Sequence, residues 1–223
     1  MRDNCVLVIA GPSAVGKTVV AKAIAERDPR FTFLRSGTTR ANRGDAHDDE
    51  YLYYTEDEFL AAVSRGEFAE YMRYGGNLYG TPKSELDRAF SEGRIPLMVL
   101  DLEGVRSMAL LDGYSACSVY VYADIETIEE RLSARSFAEG RTDKSEALVR
   151  QRCAQNRSDY LSLPDFADYI FRFVPNTSTV ENCRDAVEDT FRAFCDGAPF
   201  GTEQSRRTAE ELKTSVKRLP CVK

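Results

Sequence analysis

Residues 11–18 read Gly-Pro-Ser-Ala-Val-Gly-Lys-Thr, between an apolar run, Val6 to Ala10, and an Ala-rich stretch that continues to about Asp28 before Pro29. This matches G-x-x-x-x-G-K-[ST], and no other feature constrains the fold as much: it requires a buried strand feeding the loop and a helix leaving it. Small residues let backbone N–H groups turn inward around phosphate oxygens, and the helix N-terminus adds its positive end. Lys17 reaches the terminal phosphates and the Thr18 hydroxyl can ligate Mg²⁺. Gly11, Pro12, Ser13, Ala14, Val15, Gly16, Lys17 and Thr18 are therefore the expected nucleotide-binding residues. A phosphate loop alone does not separate ATPases, GTPases and small-molecule kinases.

The rest of the chain alternates. After a region of aromatic-rich short runs (Tyr51 to Tyr54, Phe68 to Tyr74, Leu78 to Tyr79), strands and helices follow one another. A helix is expected at about Lys83 to Glu92, then a strand Ile95 to Leu100 and a helix to Leu111. A strand Ser118 to Ala123 and helices to about Arg135 and from about Lys144 to Tyr160 come next, then a strand Tyr169 to Val174 and a helix from about Thr179 to Cys195. That rhythm predicts an α/β fold with a P-loop-type parallel sheet flanked by helices. The aromatic-rich region predicts a mixed β subdomain inserted in it, with one helix opened by a capping box of Thr55 and Glu58 and stopped at Gly66. A length of 223 residues suits one domain with insertions. The polar tail from Gly197 is expected to be a weakly packed appendage with a short helix around Ala209 to Arg218.

Several functions are disfavoured by composition. The net charge of −6 supplies no basic field for nucleic acid. The longest apolar stretches, Cys5 to Ala10 and Ile95 to Leu100, fall far short of the roughly 20 residues a membrane span needs. Six scattered cysteines without a C-x-x-C pair, and His47 as the only histidine, leave zinc clusters and His-based triads without ligands. The expected setting is the cytoplasm, as a monomer or weak homo-oligomer with reduced thiols. His47, in the acidic loop Asp45 to Glu50, reads as plain surface.

Arg40 and Arg43, three apart in a loop with Ser36, Tyr51 and Tyr79, supply guanidinium forks and hydroxyls suited to a dianionic monophosphate. Guanine presents adjacent N1–H and N2–H₂ donors, so carboxylates of Glu70 and Asp101, with the Thr81 hydroxyl near O6 or N7, would select it over adenine. The ordered set Ser36-Gly-Thr-Thr-Arg40-Ala-Asn-Arg43-Gly-Asp45, Tyr51, Glu70, Gly76-Asn-Leu-Tyr79-Gly80-Thr81 and Asp101-Leu-Glu-Gly104 resembles the guanylate kinase family from about Val6 to Cys195. The resemblance implies phosphoryl transfer from ATP to GMP with Mg²⁺. It puts Ser36, Arg40, Arg43, Tyr51 and Tyr79 at the GMP phosphate, Glu70, Thr81 and Asp101 at the guanine, Asp45 among the other substrate-binding residues, and Lys17, Arg40, Arg135 and Arg150 at the migrating phosphoryl. It also implies a core of 1–33 and 87–196, a GMP-binding unit at about 34–86, a lid at about 135–160 and a tail at 197–223.

Arg131, Arg135, Arg141, Arg150, Arg152 and Arg157 could equally form a solvated helix face with i,i+4 partners. Arg135 and Arg150 match the family's lid arginines best. The chain departs from the family pattern at four places: Ala14 stands for a third loop glycine, Asp45 for a Glu after a one-residue deletion, and Val99 for an acid in a gap-free alignment. The fourth is the Asn after the last strand, which is displaced, with Asn176 nearest. Shifting the alignment by two makes Asp101 the first acid and Glu103 the second but misplaces Gly104. Two other functions fit parts of the pattern: a kinase for another small phosphate ester, which would not need both carboxylates with Thr81, and a non-catalytic module, which typically loses the Gly16-Lys17-Thr18 run kept here.

Overall fold

A strand that is apolar on both faces can be stable only if both faces are covered, and β1 (Cys5–Ala10) is such a strand: from Val6 to Ala10 no residue is more than 1% exposed. The computed structural model describes residues 2–42, 50–138 and 143–217. In it β1 lies at the centre of a five-stranded sheet, with elements numbered in chain order. The helix α1 (Lys17–Arg27) leads to β2 (Phe31–Phe33); β7 (Ile95–Val99) and β8 (Ser115–Tyr122) flank β1, and β9 (Arg172–Pro175) closes the far edge. The order is β2-β7-β1-β8-β9, and every pairing is parallel, with Leu7 opposite both Leu97 and Cys117.

Between β2 and β7 the chain makes a second sheet, of order β4-β3-β6-β5, from β3 (Ser36–Thr38), β4 (Tyr51–Tyr53), β5 (Phe68–Tyr74) and β6 (Asn77–Pro82). The helix α2 (Glu56–Ser64) covers it and begins with the expected box: the Thr55 hydroxyl accepts from the Glu58 N–H, and the Glu58 carboxylate accepts from the Thr55 N–H at 2.8 Å. Phe59, Ala62, Phe68 and Leu78 form a small core of their own. Gly80 in β6 is required by close approach, since a Cβ there would sit 2.6 Å from the Glu70 carbonyl oxygen.

One buried carboxylate ties the two chain crossings between the sheets. Glu85, in the first turn of α3 (Lys83–Ser91), is 2% exposed. One of its oxygens accepts from the Arg35 guanidinium at 2.6 Å, and the other accepts from the Arg35 backbone N–H at 3.2 Å and from the Arg88 guanidinium at 2.9 Å. Burial pushes this carboxyl up, but the hydrogen bonds from Arg35 and Arg88 outweigh it and hold it at about 2.

Five α-helices follow β7, with β8 and β9 between them: α4 (Leu102–Ala109), α5 (Ile125–Ala138), α6 (Asp143–Ser162), α7 (Val180–Cys195) and α8 (Thr202–Lys217). Two expectations are corrected here. The segment from Tyr169 is not yet strand: Leu163–Tyr169 is a 3₁₀ helix with Pro164 in its first turn, which delays β9 to Arg172. The tail is no weakly packed appendage, because α8 buries Ser205, Ala209, Leu212 and Val216 against the 3₁₀ segment, α6 and β9. Their i, i+4, i+7, i+11 spacing is one helix face. Among the described residues no helix is long and apolar enough to cross a membrane.

Glu85→Gln keeps the shape but removes the charge that both arginines address, so it should destabilise the protein by about 1.5–3 kcal/mol at neutral pH. Because the folded-state carboxyl lies well below its ordinary value, that contribution is present above about pH 4.5 and fades as pH falls toward 2. Urea unfolding of wild type and variant across this range should show the gap closing; a gap independent of pH would refute the electrostatic account.

Candidate active site

Burial of β1 fixes where its C-terminal end delivers the chain, and residues 11–16 leave it as a loop that enters α1 at Gly16. Gly16 has φ 102°, and a Cβ on it would lie 2.8 Å from the Asn176 side-chain nitrogen, so neither the conformation nor the space admits another residue. The Lys17 ammonium lies along the loop and donates to the carbonyl oxygens of Gly11 (2.7 Å) and Pro12 (2.8 Å). Burial lowers its pKa to about 8, against the pull of the nearby Asp159 and Asp101 carboxylates. Thr18, one residue on, is exposed and faces a large cavity.

That cavity, about 690 Å³, lies between the two sheets. The pairing of β3 with β4 sets Ser36 beside Tyr51, and the pairing of β5 with β6 sets Glu70 beside Thr81, so Ser36, Tyr51, Tyr79, Glu70 and Thr81 all line it. Asp101 closes it from the end of β7; its carboxylate also caps α4, accepting from the Gly104 N–H at 2.8 Å. The Thr81 hydroxyl donates to Glu70 at 2.7 Å. Burial pushes the Glu70 carboxyl above its usual range and the Asp101 charge adds to this, while the Thr81 hydrogen bond opposes it. Arg40 sits at the rim with its guanidinium 4.9 Å from the centre of the Tyr51 ring and 3.3 Å from the Tyr53 hydroxyl. One half of the cavity can therefore hold an anion, and the other presents acceptors to a base edge.

The arginine-rich segment divides. Arg157 pairs with Glu129 at 2.7 Å and ties α6 to α5, and Arg131 donates to the carbonyls of Val15 (3.5 Å) and Asn176 (3.2 Å), behind the loop. Arg150 is exposed on α6 with Glu146 3.7 Å away. Arg43, Asp45, His47, Arg141 and the Arg135 side chain lie outside the described residues. Three groups at this site were not singled out by sequence reasoning: Asn156 and Asp159, on α6 beside the loop and Lys17, and the Arg35 crossing. No local motif marks them, because each meets its partner only through the fold. Asn176, considered for an adenine contact, instead donates to the Val15 carbonyl at 2.7 Å and is buried.

A family model described as guanylate kinase matches residues 3–193. The chain belongs to the guanylate kinase family. It is 34% identical over 171 residues to a guanylate kinase of Paramagnetospirillum magneticum, covering 76% of this chain and 77% of that one. It is 35% identical over 182 residues to a guanylate kinase of Thermotoga maritima, covering 81% of each. The crystal structure of guanylate kinase from Anaplasma phagocytophilum matches 86% of both chains with a TM-score of 0.55 at 22% identity, a likeness of fold. A guanylate kinase family chain is a nucleoside monophosphate kinase, and the two-sheet architecture with the phosphate loop between β1 and α1 is that of its fold.

Within this guanylate kinase site, the depressed Lys17 pKa has a measurable consequence. At pH 8 about half of the Lys17 side chains are neutral, and a polyphosphate on the loop favours the ammonium, so nucleotide binding should take up about half a proton. At pH 6.5 Lys17 is already charged and this uptake should vanish. Calorimetric titration of ATP in buffers of different ionisation enthalpy reads it directly, and Lys17→Met should abolish it; an uptake unchanged by that substitution would assign the proton elsewhere.

Proposed function

We propose that this chain transfers the γ-phosphoryl group of ATP to GMP, giving ADP and GDP. One observation supports the reading: the half-buried Glu70, hydrogen-bonded to the buried Thr81, and Asp101 line a single cavity with Thr18 of the phosphate loop, an arrangement suited to a base edge beside a polyphosphate. A phosphate ester without a base would have no use for two carboxylates set beside a hydroxyl.

In this reading the loop N–H groups and Lys17 hold the β- and γ-phosphates, and Ser36, Arg40, Arg43, Tyr51 and Tyr79 hold the GMP phosphate. Glu70 and Asp101 accept from the guanine N1–H and N2–H₂, and Asp45 is among the residues that bind GMP. A GMP phosphate oxygen forms a new bond to the γ-phosphorus as the bond to the ADP oxygen breaks, with no covalent enzyme intermediate and no side chain required as base. Arg40, Arg135 and Arg150 spread over the migrating group, the last two from the 135–160 segment, and exclude water. Magnesium fits the donor set here: among the described residues no cluster of acids could hold a metal alone, and the exposed Thr18 hydroxyl suits an ion carried mainly by the nucleotide's phosphates. Bound there, it would neutralise β,γ-phosphate charge. The setting proposed is the cytoplasm.

A site built to accept from guanine leaves the carboxylates of Glu70 and Asp101 desolvated by the base and unpaired when adenine takes its place, so GMP should be preferred to AMP by about 10⁴-fold. Glu70→Gln turns an acceptor oxygen into a donor facing guanine's own N–H groups, and should raise the GMP KM and narrow that ratio. Since Glu70 must be ionised to accept, and its carboxyl titrates above the usual range, the wild-type GMP KM should rise as pH falls through that range, and the variant should lose this limb. Coupled assays with GMP, AMP and CMP decide it: equal use of AMP, or a ratio untouched by Glu70→Gln, overturns the pocket, and no transfer to any nucleotide overturns the enzyme.

A further inference from the structure

The phosphate loop contains a residue that its chemistry should not favour. Ala14 has φ 66°, in the left-handed region where the Cβ of an L-residue crowds its own carbonyl, at a cost near 1–2 kcal/mol relative to the right-handed form. Such a conformation persists where the surroundings over-determine it. Here they do so from both sides. On one side the Asn156 side-chain amide accepts from the Ser13 N–H at 2.7 Å and donates to the Ser13 carbonyl at 3.1 Å, a two-point pairing that satisfies both backbone groups of the residue before Ala14. On the other side Asn176 donates to the Val15 carbonyl at 2.7 Å, with Arg131 behind it. Asn156 is 0% exposed and Asn176 6%. A buried primary amide with a donor and its acceptor both spent on one loop residue does more than fill space: it orients the Ser13–Ala14 peptide plane, and with it φ of Ala14.

We infer that Asn156 is a positioning residue for ATP, holding Ala14 left-handed so that the loop amides that follow point toward the phosphates. Glycine at position 14 would populate that conformation without help; alanine does not, and the clamp on α6 substitutes for it. Without the clamp, Ala14 relaxes toward the right-handed region, the fraction of loops competent to bind falls, and apparent affinity falls by the same fraction. The inference rests on the reading that this loop binds ATP.

Calorimetric titration of ATP with Mg²⁺ onto wild type, Asn156→Leu, Ala14→Gly and the double variant tests it. In the Ala14 background, Asn156→Leu should weaken ATP binding by about 5- to 30-fold, the factor equivalent to the left-handed strain at 1.4 kcal/mol per tenfold. In the Ala14→Gly background the same substitution should cost less than about threefold, because there is little strain left to hold. A packing role would lower the melting temperature in both backgrounds and show no such rescue. A wild type that binds ATP with an Asn156→Leu variant that binds equally, or an equal loss in both backgrounds, overturns this inference alone; a wild type that binds no ATP overturns the functional reading with it. If Asn156→Leu does not fold, amide hydrogen exchange of the wild type decides: Ser13 should exchange slowly without nucleotide, and a rapidly exchanging Ser13 amide contradicts the clamp.

Discussion

Burial of β1 on both faces is the constraint on which the rest of the molecule depends. A central parallel strand with no exposed residue can end only at the sheet's carboxyl edge, and the chain order places β7 on one side of it and β8 on the other. The crossovers from β1 and β7 therefore leave in opposite directions, and a crevice opens where they part. The phosphate loop occupies that crevice, and Asp101, leaving β7 at the same edge, faces it. The inserted sheet then forms the far wall of the cavity that begins there.

Electrostatics inside this frame is handled by pairing charge with backbone. Glu85 binds the N–H of the crossing as well as two guanidinium groups, Asp101 binds the first turn of α4, and Lys17 spends two of its donors on carbonyls of its own loop. These three ionised groups therefore each fix a piece of main chain, and that local geometry is set before any ligand charge is considered. Glu70 differs in the balance: the Thr81 hydroxyl and backbone favour its charge, but burial outweighs them and pushes its pKa up.

What could be read from the sequence was what is encoded locally or as a motif. The β1-loop-α1 unit, the Thr55–Glu58 box and the paired carboxylates of the cavity all come from residues near one another or from an ordered pattern, and the fold class followed from the alternation of elements. The pairings that hold the site together were not readable: Asn156 and Ser13 are 143 positions apart, and Arg35 and Glu85 are 50 apart. Nothing in either segment announces its partner. The burial of α8 is an intermediate case, because Ser205, Ala209, Leu212 and Val216 do mark a stripe in the sequence, but the surrounding charge made that segment read as solvated.

The attachment of α6 has a mechanical consequence. Its C-terminal half is fixed by polar contacts at three points, Asn156 to the loop, Arg157 to Glu129 and the Tyr160 hydroxyl to the Ala123 carbonyl at 2.7 Å, whereas nearer its start Val149 and Cys153 make only apolar contact with the core and Ala147, Leu148, Arg150 and Gln151 are exposed. Such a helix is a cantilever. Arg150 lies six residues, roughly 9 Å along the axis, before the first fixed point, so a 10° tilt about that point carries its Cα by about 1.5 Å. The same tilt loads the Asn156 amide, making the fulcrum of the arm part of the phosphate loop's own support.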